Sequence, residues 1–137
     1  MVLYSLGIQL LHIEQIFKMK AEIKEILETE NFGYLKDYYP ENPNDFCINI
    51  SMEIGIFGQE GTDYFYTSIC SFDYLNQLKG QQKTFHQREL IIMEKYDYQA
   101  IMAHLNRIVT MYDENDWHTL ANQLNKYFLW EFDDYRP

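Results

Sequence analysis

Basic residues are scarce in this chain: 11 Lys and Arg stand against 21 Asp and Glu, a net charge of −10. A field of that sign repels phosphate backbones and anionic lipid and draws in basic partners, so direct nucleic-acid binding is not expected. Cysteine is nearly absent, with only Cys47 and Cys70, and no CxxC occurs. That excludes a zinc ribbon, and two reduced thiols in a cytoplasmic protein are the default expectation. Long apolar runs are missing, and no segment approaches a membrane span. The first eighteen residues carry no leading positive charge, and Gln9, His12, Glu14 and Gln15 interrupt them, so they do not read as a signal peptide.

Catalytic signatures are missing as well. There is no HExxH, no GxSxG and no phosphate-cradling loop. Gly55, Gly58 and Gly61 form a GxxGxxG, but it lies in a hairpin turn and lacks the lysine-serine pair of a P-loop. His12, His86, His104 and His118 are scattered without metal-ligand spacing, and His86 and His104 each read as a solvated side chain rather than a catalytic one. No enzyme, metal or cofactor is expected.

What the chain does have is aromatic and apolar surface. Hydrophobic residues make up 47% and aromatics 17%, with twelve tyrosines and nine phenylalanines. At 137 residues this suits one domain with a packed core, and tyrosine adds a wet, adhesive exterior.

Leu3, Leu6, Leu10, Ile13 and Phe17 recur at alternating three and four spacing, one stripe of an amphipathic helix. Residues 1–18 therefore read as an N-terminal amphipathic extension, and 19–137 as the domain proper. MKAEIKEI (19–26) alternates as a half-buried strand, and Pro40 and Pro43 break the loop that follows. FCINISMEIGIF (46–57) is a strand of strict period two, and YFYTSIC (64–70) returns as its hairpin partner. With Phe65 and Ile69 inward, Cys47 and Cys70 share the outer face; a cross-strand disulfide is conceivable, and two free thiols remain the expectation.

Ser71 can cap a short helix over FDYLNQL, and RELIIMEKY (88–96) reads as a strand. Asp97 and Asp116 cap two longer helices, with stripes Ile101, Leu105, Ile108, Val109, Tyr112 and Trp117, Leu120, Leu124, Tyr127, Phe128. WEFDDY closes the chain as a last strand, with Trp117, Trp130 and Phe132 as structural anchors. This order predicts an α+β fold: a single small domain whose antiparallel or mixed sheet packs against two main helices, with the extra N-terminal helix.

Acidic clusters mark the candidate binding residues. Glu60 and Asp63 lie in the hairpin loop, and Asp113, Glu114 and Asp116 lie between the helices; Glu131, Asp133 and Asp134 close the tail. Taken singly, each cluster is an ordinary solvated turn. Beside Tyr38, Tyr39, Tyr64 and Tyr66 they have the makings of a protein interface, where rings supply area and charge supplies speed.

From Met19 onward the chain resembles the Immunity protein 8 family of bacterial polymorphic-toxin systems. The resemblance runs through MKAEIKEI, DYYPENPNDFCINISMEIGIFGQEGTDYFYTSIC, LIIMEKYDYQAI and the W-EF-DY pattern of WEFDDYRP. It implies a cytoplasmic antitoxin that binds a cognate toxin domain without doing chemistry. The toxin would be basic, a nuclease being one such class, and Glu60, Asp63, Asp113, Glu114 and Asp116 would face it. The alternative is a non-catalytic scaffold domain that dimerises through the N-terminal helix.

Overall fold

The computed structural model describes residues 18–79 and 89–134. In chain order these residues form β1 (Met19–Glu28), β2 (Gly33–Tyr34), a 3-10 turn (Leu35–Asp37), β3 (Cys47–Ile56) and β4 (Asp63–Ser71). Then come α1 (Phe72–Lys79), β5 (Leu90–Met93), α2 (Tyr98–Val109), β6 (Asp113–Glu114), α3 (Trp117–Leu124) and β7 (Leu129–Trp130). The N-terminal extension expected over 1–18, with its whole amphipathic stripe, lies outside the described residues apart from Lys18.

The sheet runs β2-β1-β3-β4-β5. Its pairs are antiparallel except β4 with β5, so the sheet is mixed. β6 adds to the start of β1, and β7 pairs with β4 at Phe65–Tyr66. One face carries the core. Ile48, Ile50, Met52 and Ile54 from β3 join Phe65 and Ile69 from β4, all almost fully buried. Ile101, Leu105, Ile108 and Val109 of α2 and Leu120, Ala121 and Leu124 of α3 close over them. These are the stripes that the helical spacing predicts, although Tyr127 and Phe128 fall in the turn after α3 rather than on it.

A bulge in β1 changes which side chains face inward. Ala21 and Ile23 pair with Ile56 and Ile54, but the register shifts between Ile23 and Glu25. Beyond the bulge Ile26 and Glu28 point inward and Glu25 and Leu27 point out, because an extra residue reverses the alternation. The inward Glu28 is satisfied: its carboxylate accepts from the backbone N–H groups of Glu30 and Asn31 at 2.8 and 3.0 Å. It fixes the tight turn into β2.

Both long helices begin as read. The Asp97 carboxylate accepts from the Ala100 N–H at 3.1 Å, and that of Asp116 from the Thr119 N–H at 2.8 Å. Asp97→Ala should lower the unfolding free energy by about 1 kcal/mol, seen as an earlier urea midpoint. An unmoved midpoint would show that α2 needs no cap.

Three expectations need correction. Cys47 stands directly opposite Cys70 in the β3–β4 register, and the two form a disulfide rather than two free thiols. The strand read over 88–96 is only Leu90–Met93. The closing strand is Leu129–Trp130 alone; residues 131–134 form a turn, which takes Phe132 off the strand face and leaves it 40% exposed.

Candidate functional site

The acids of the hairpin loop and of the α2–α3 connection meet at one end of the sheet. The Phe57 N–H donates to the Lys20 carbonyl at 2.8 Å, and β6 pairs with Met19 and Lys20, so both loops flank the start of β1. Glu60 sits in the hairpin turn beside a recess of about 330 Å³ that Trp117 also lines. Asp113 pairs with Lys20 at 2.9 Å, both side chains well exposed. A Glu114 oxygen accepts from the Gln123 amide at 3.3 Å. Asp116 is occupied as the α3 cap, and hydrogen bonds from the Thr119 backbone and hydroxyl hold its carboxyl below the usual aspartate range.

Asp63 has the most structural setting of the five. One oxygen, Oδ2, accepts from the indole N–H of Trp117 at 2.7 Å and from that of Trp130 at 3.0 Å. Phe65 lies next to both rings, stacked with Trp130 and edge-on to Trp117, each at 6.3 Å between centroids. Trp130 is 5% exposed, and Phe132 meets it edge-on at 5.8 Å from the wet side. On the facing strand Gly55 must lack a side chain, because a Cβ there would run into the Gly61 carbonyl oxygen.

The sheet face turned away from α2 and α3 carries a second group of side chains. Antiparallel partners point the same way, so Tyr34, Leu27, Ser51, Tyr66 and Leu129 form one row across five strands. The next row holds Glu25, Glu53 and Tyr64. Tyr34, Tyr64 and Tyr66 are 49%, 40% and 37% exposed, and the last two stack at 6.5 Å. Glu131 borders this group: its carboxylate accepts from the Tyr64 N–H at 3.1 Å. Burial first, and the nearby Glu131 second, push the Tyr66 hydroxyl above the ordinary tyrosine range. Tyr38 and Tyr39, also expected at an interface, both pack edge-on against the buried Tyr96, at 5.8 and 5.7 Å, and Tyr39 stays 65% exposed.

Glu25 and Glu53 are direct cross-strand partners. A hydrogen bond shared with Glu25 is the largest cause that raises the Glu53 carboxyl above its usual range; partial burial adds to it and the Thr62 hydroxyl opposes it. The folded protein thus holds a proton at pH values where the unfolded chain has lost it. The stability this proton contributes is full below the unfolded-state pKa and is lost as pH rises through the raised one. Glu53→Gln should therefore raise Tm at neutral pH and leave it unchanged near pH ~3, where the Glu53 carboxyl is protonated. A lower Tm at neutral pH would show that the pair is not repulsive.

Strand alternation singles out Glu53, Tyr64 and Tyr66 in the sequence. It misses Glu25 because the bulge reverses the phase of β1, and it misses Tyr34 because two-residue β2 has no period to read. Among the described residues, reactive groups do not converge. His104 lies at 2.8 Å from Arg107, and burial, then that guanidinium, depress its pKa. His118 packs edge-on against Trp130, and His12 and His86 lie outside the described residues. Among the described residues, no three His, Cys, Asp or Glu side chains are grouped to hold a metal ion, and no helix is long and apolar enough to cross a membrane.

No curated protein and no solved structure matches the chain. Residues 21–135, however, match the model of Immunity protein 8. That span takes in the hairpin, both capped helices and the tryptophan pair, and the chain belongs to the Immunity protein 8 family of non-catalytic immunity proteins.

Proposed function

We propose that this immunity protein neutralises one cognate toxin domain by binding it, placing an acidic, tyrosine-bearing surface over a basic active-site cleft. Family membership across residues 21–135 is the observation that carries this reading. The net charge of −10 agrees with a basic partner such as a nuclease, whose cleft must attract phosphate. Glu60, Asp63, Asp113, Glu114 and Asp116 gather at one end and give the attraction a direction, the exposed Glu60 and Asp113 most of all. Inhibition then needs only that the bound protein occupy the space substrate would take. Residues 1–18 would be an extension to the binding domain.

Co-expression tests this. Toxin domains from polymorphic-toxin loci are induced one at a time with and without this chain, and growth is followed. The expected result is rescue against one toxin domain, with a co-eluting complex whose affinity falls as salt rises. Rescue against none across a broad panel, or an affinity indifferent to salt, would refute the reading or its electrostatic part respectively.

A further inference from the structure

The acidic end accounts for attraction, but Asp63 is spent on two indoles and Asp116 on a helix cap. The face opposite the helices has the other half of what an interface needs. The geometry points to this face, centred on Tyr64, Tyr66, Glu25 and Glu53, as the surface that holds the toxin through a patch bearing Lys or Arg. This rests on the reading of the protein as a toxin binder and adds where, and with what chemistry, it binds.

Three observations favour a cationic, partly apolar occupant. First, Glu25 and Glu53 stand opposite each other on adjacent strands, and like charges in that position repel in the isolated protein. A cation inserted between them removes the repulsion, so a feature unfavourable to the free protein becomes favourable in a complex. Secondly, the bases at the border are already engaged: Lys24 meets Glu22 at 2.6 Å, and the Lys36 ammonium sits 5.4 Å from the centre of the Tyr34 ring. The cation that satisfies the pair is then best supplied from outside the chain.

Thirdly, Tyr64 is the cross-strand partner of Glu53 and stacks on Tyr66. A ring face beside a carboxylate suits arginine, whose planar guanidinium stacks on aromatics and forks onto carboxylate oxygens. Tyrosine also contributes large contact area with few rotatable bonds, as hot-spot residues do. From β2 to β7 the row spans roughly 20 Å, four gaps of about 4.8 Å each, wide enough for the centre of a standard interface.

Division of labour between the two surfaces gives a kinetic test. Outlying charges act on association, whereas desolvated contacts act on dissociation. The probe is the catalytically inactivated toxin domain identified by growth rescue, immobilised on a biosensor. Tyr66→Ala and Glu53→Gln should each raise koff by about tenfold or more and change kon by less than about threefold. The combined Glu60→Gln and Asp113→Asn variant should instead slow association and flatten its salt dependence. Equal thermal melts, or the higher Tm expected of Glu53→Gln, show that the variants are folded. If neither face variant changes koff while the loop variants do, the toxin sits on the acidic end and the assignment of this face is wrong. A probe independent of any toxin, the peptide tetra-arginine, should shift the amide resonances of Glu25, Glu53, Tyr64 and Tyr66. Shifts confined to residues 58–63 and 113–116 would overturn the assignment even where growth rescue succeeds. Rescue by no toxin, with the face still binding the peptide, would refute the antitoxin reading and leave a cation-binding face.

Discussion

Trp130→Ala should lower the free energy of unfolding by about 3–5 kcal/mol, the range for truncating a buried aromatic. The ring is 5% exposed and stacks on Phe65, while His118 and Phe132 approach its other sides. Its backbone N–H also donates to the Asn125 side chain at 3.0 Å, which ties the strand to the end of α3. Removing the indole opens a void that three differently attached elements cannot close together. Urea denaturation measures the effect, and a midpoint near that of the wild type would show that the tail is not an anchor. Trp130→Phe should cost less, since it keeps most of the packing and loses the N–H.

Asp63→Ala should cost about 3 kcal/mol, because hydrogen bonds to a charged group contribute about 1.5–3 kcal/mol each and a buried donor left unpaired is penalised. Both indoles lose their acceptor at once. The loss is shared, so the effects of Asp63→Ala and Trp130→Phe should sum to more than the double variant costs. Asp63→Asn keeps a carbonyl acceptor and should recover part of the stability. If Asp63→Ala leaves stability unchanged and weakens toxin binding instead, the carboxylate faces the partner and the indoles are satisfied elsewhere.

That role was illegible in the sequence for a definite reason. An aspartate two residues beyond a glycine reads as a solvated turn, and its two donors lie 54 and 67 residues downstream. No local spacing encodes such a meeting. The caps at Asp97 and Asp116 were legible because donor and acceptor sit three residues apart. β3 was legible because ten residues of alternation leave one sensible register. β2 and β6 were not, since two residues have no period and exist as strands only because β1 is there to pair with, and β7 was read too far along the tail because its extent is set by pairing with β4. The candidate site divides the same way. Acidic clusters are visible as composition, but the Glu25–Glu53 juxtaposition depends on a bulge that reverses half of β1.

A sheet is one backbone thick, and β7 is joined to β4 where Phe65 points one way and Tyr64 and Tyr66 the other. Whatever holds Trp130 in the core therefore also sets the height and tilt of the tyrosines on the far side. Losing residues 129–134 would disturb the outer surface while taking only Leu129 out of its two tyrosine rows. Residues 129–131 thus act through the sheet as a clamp on the surface they border.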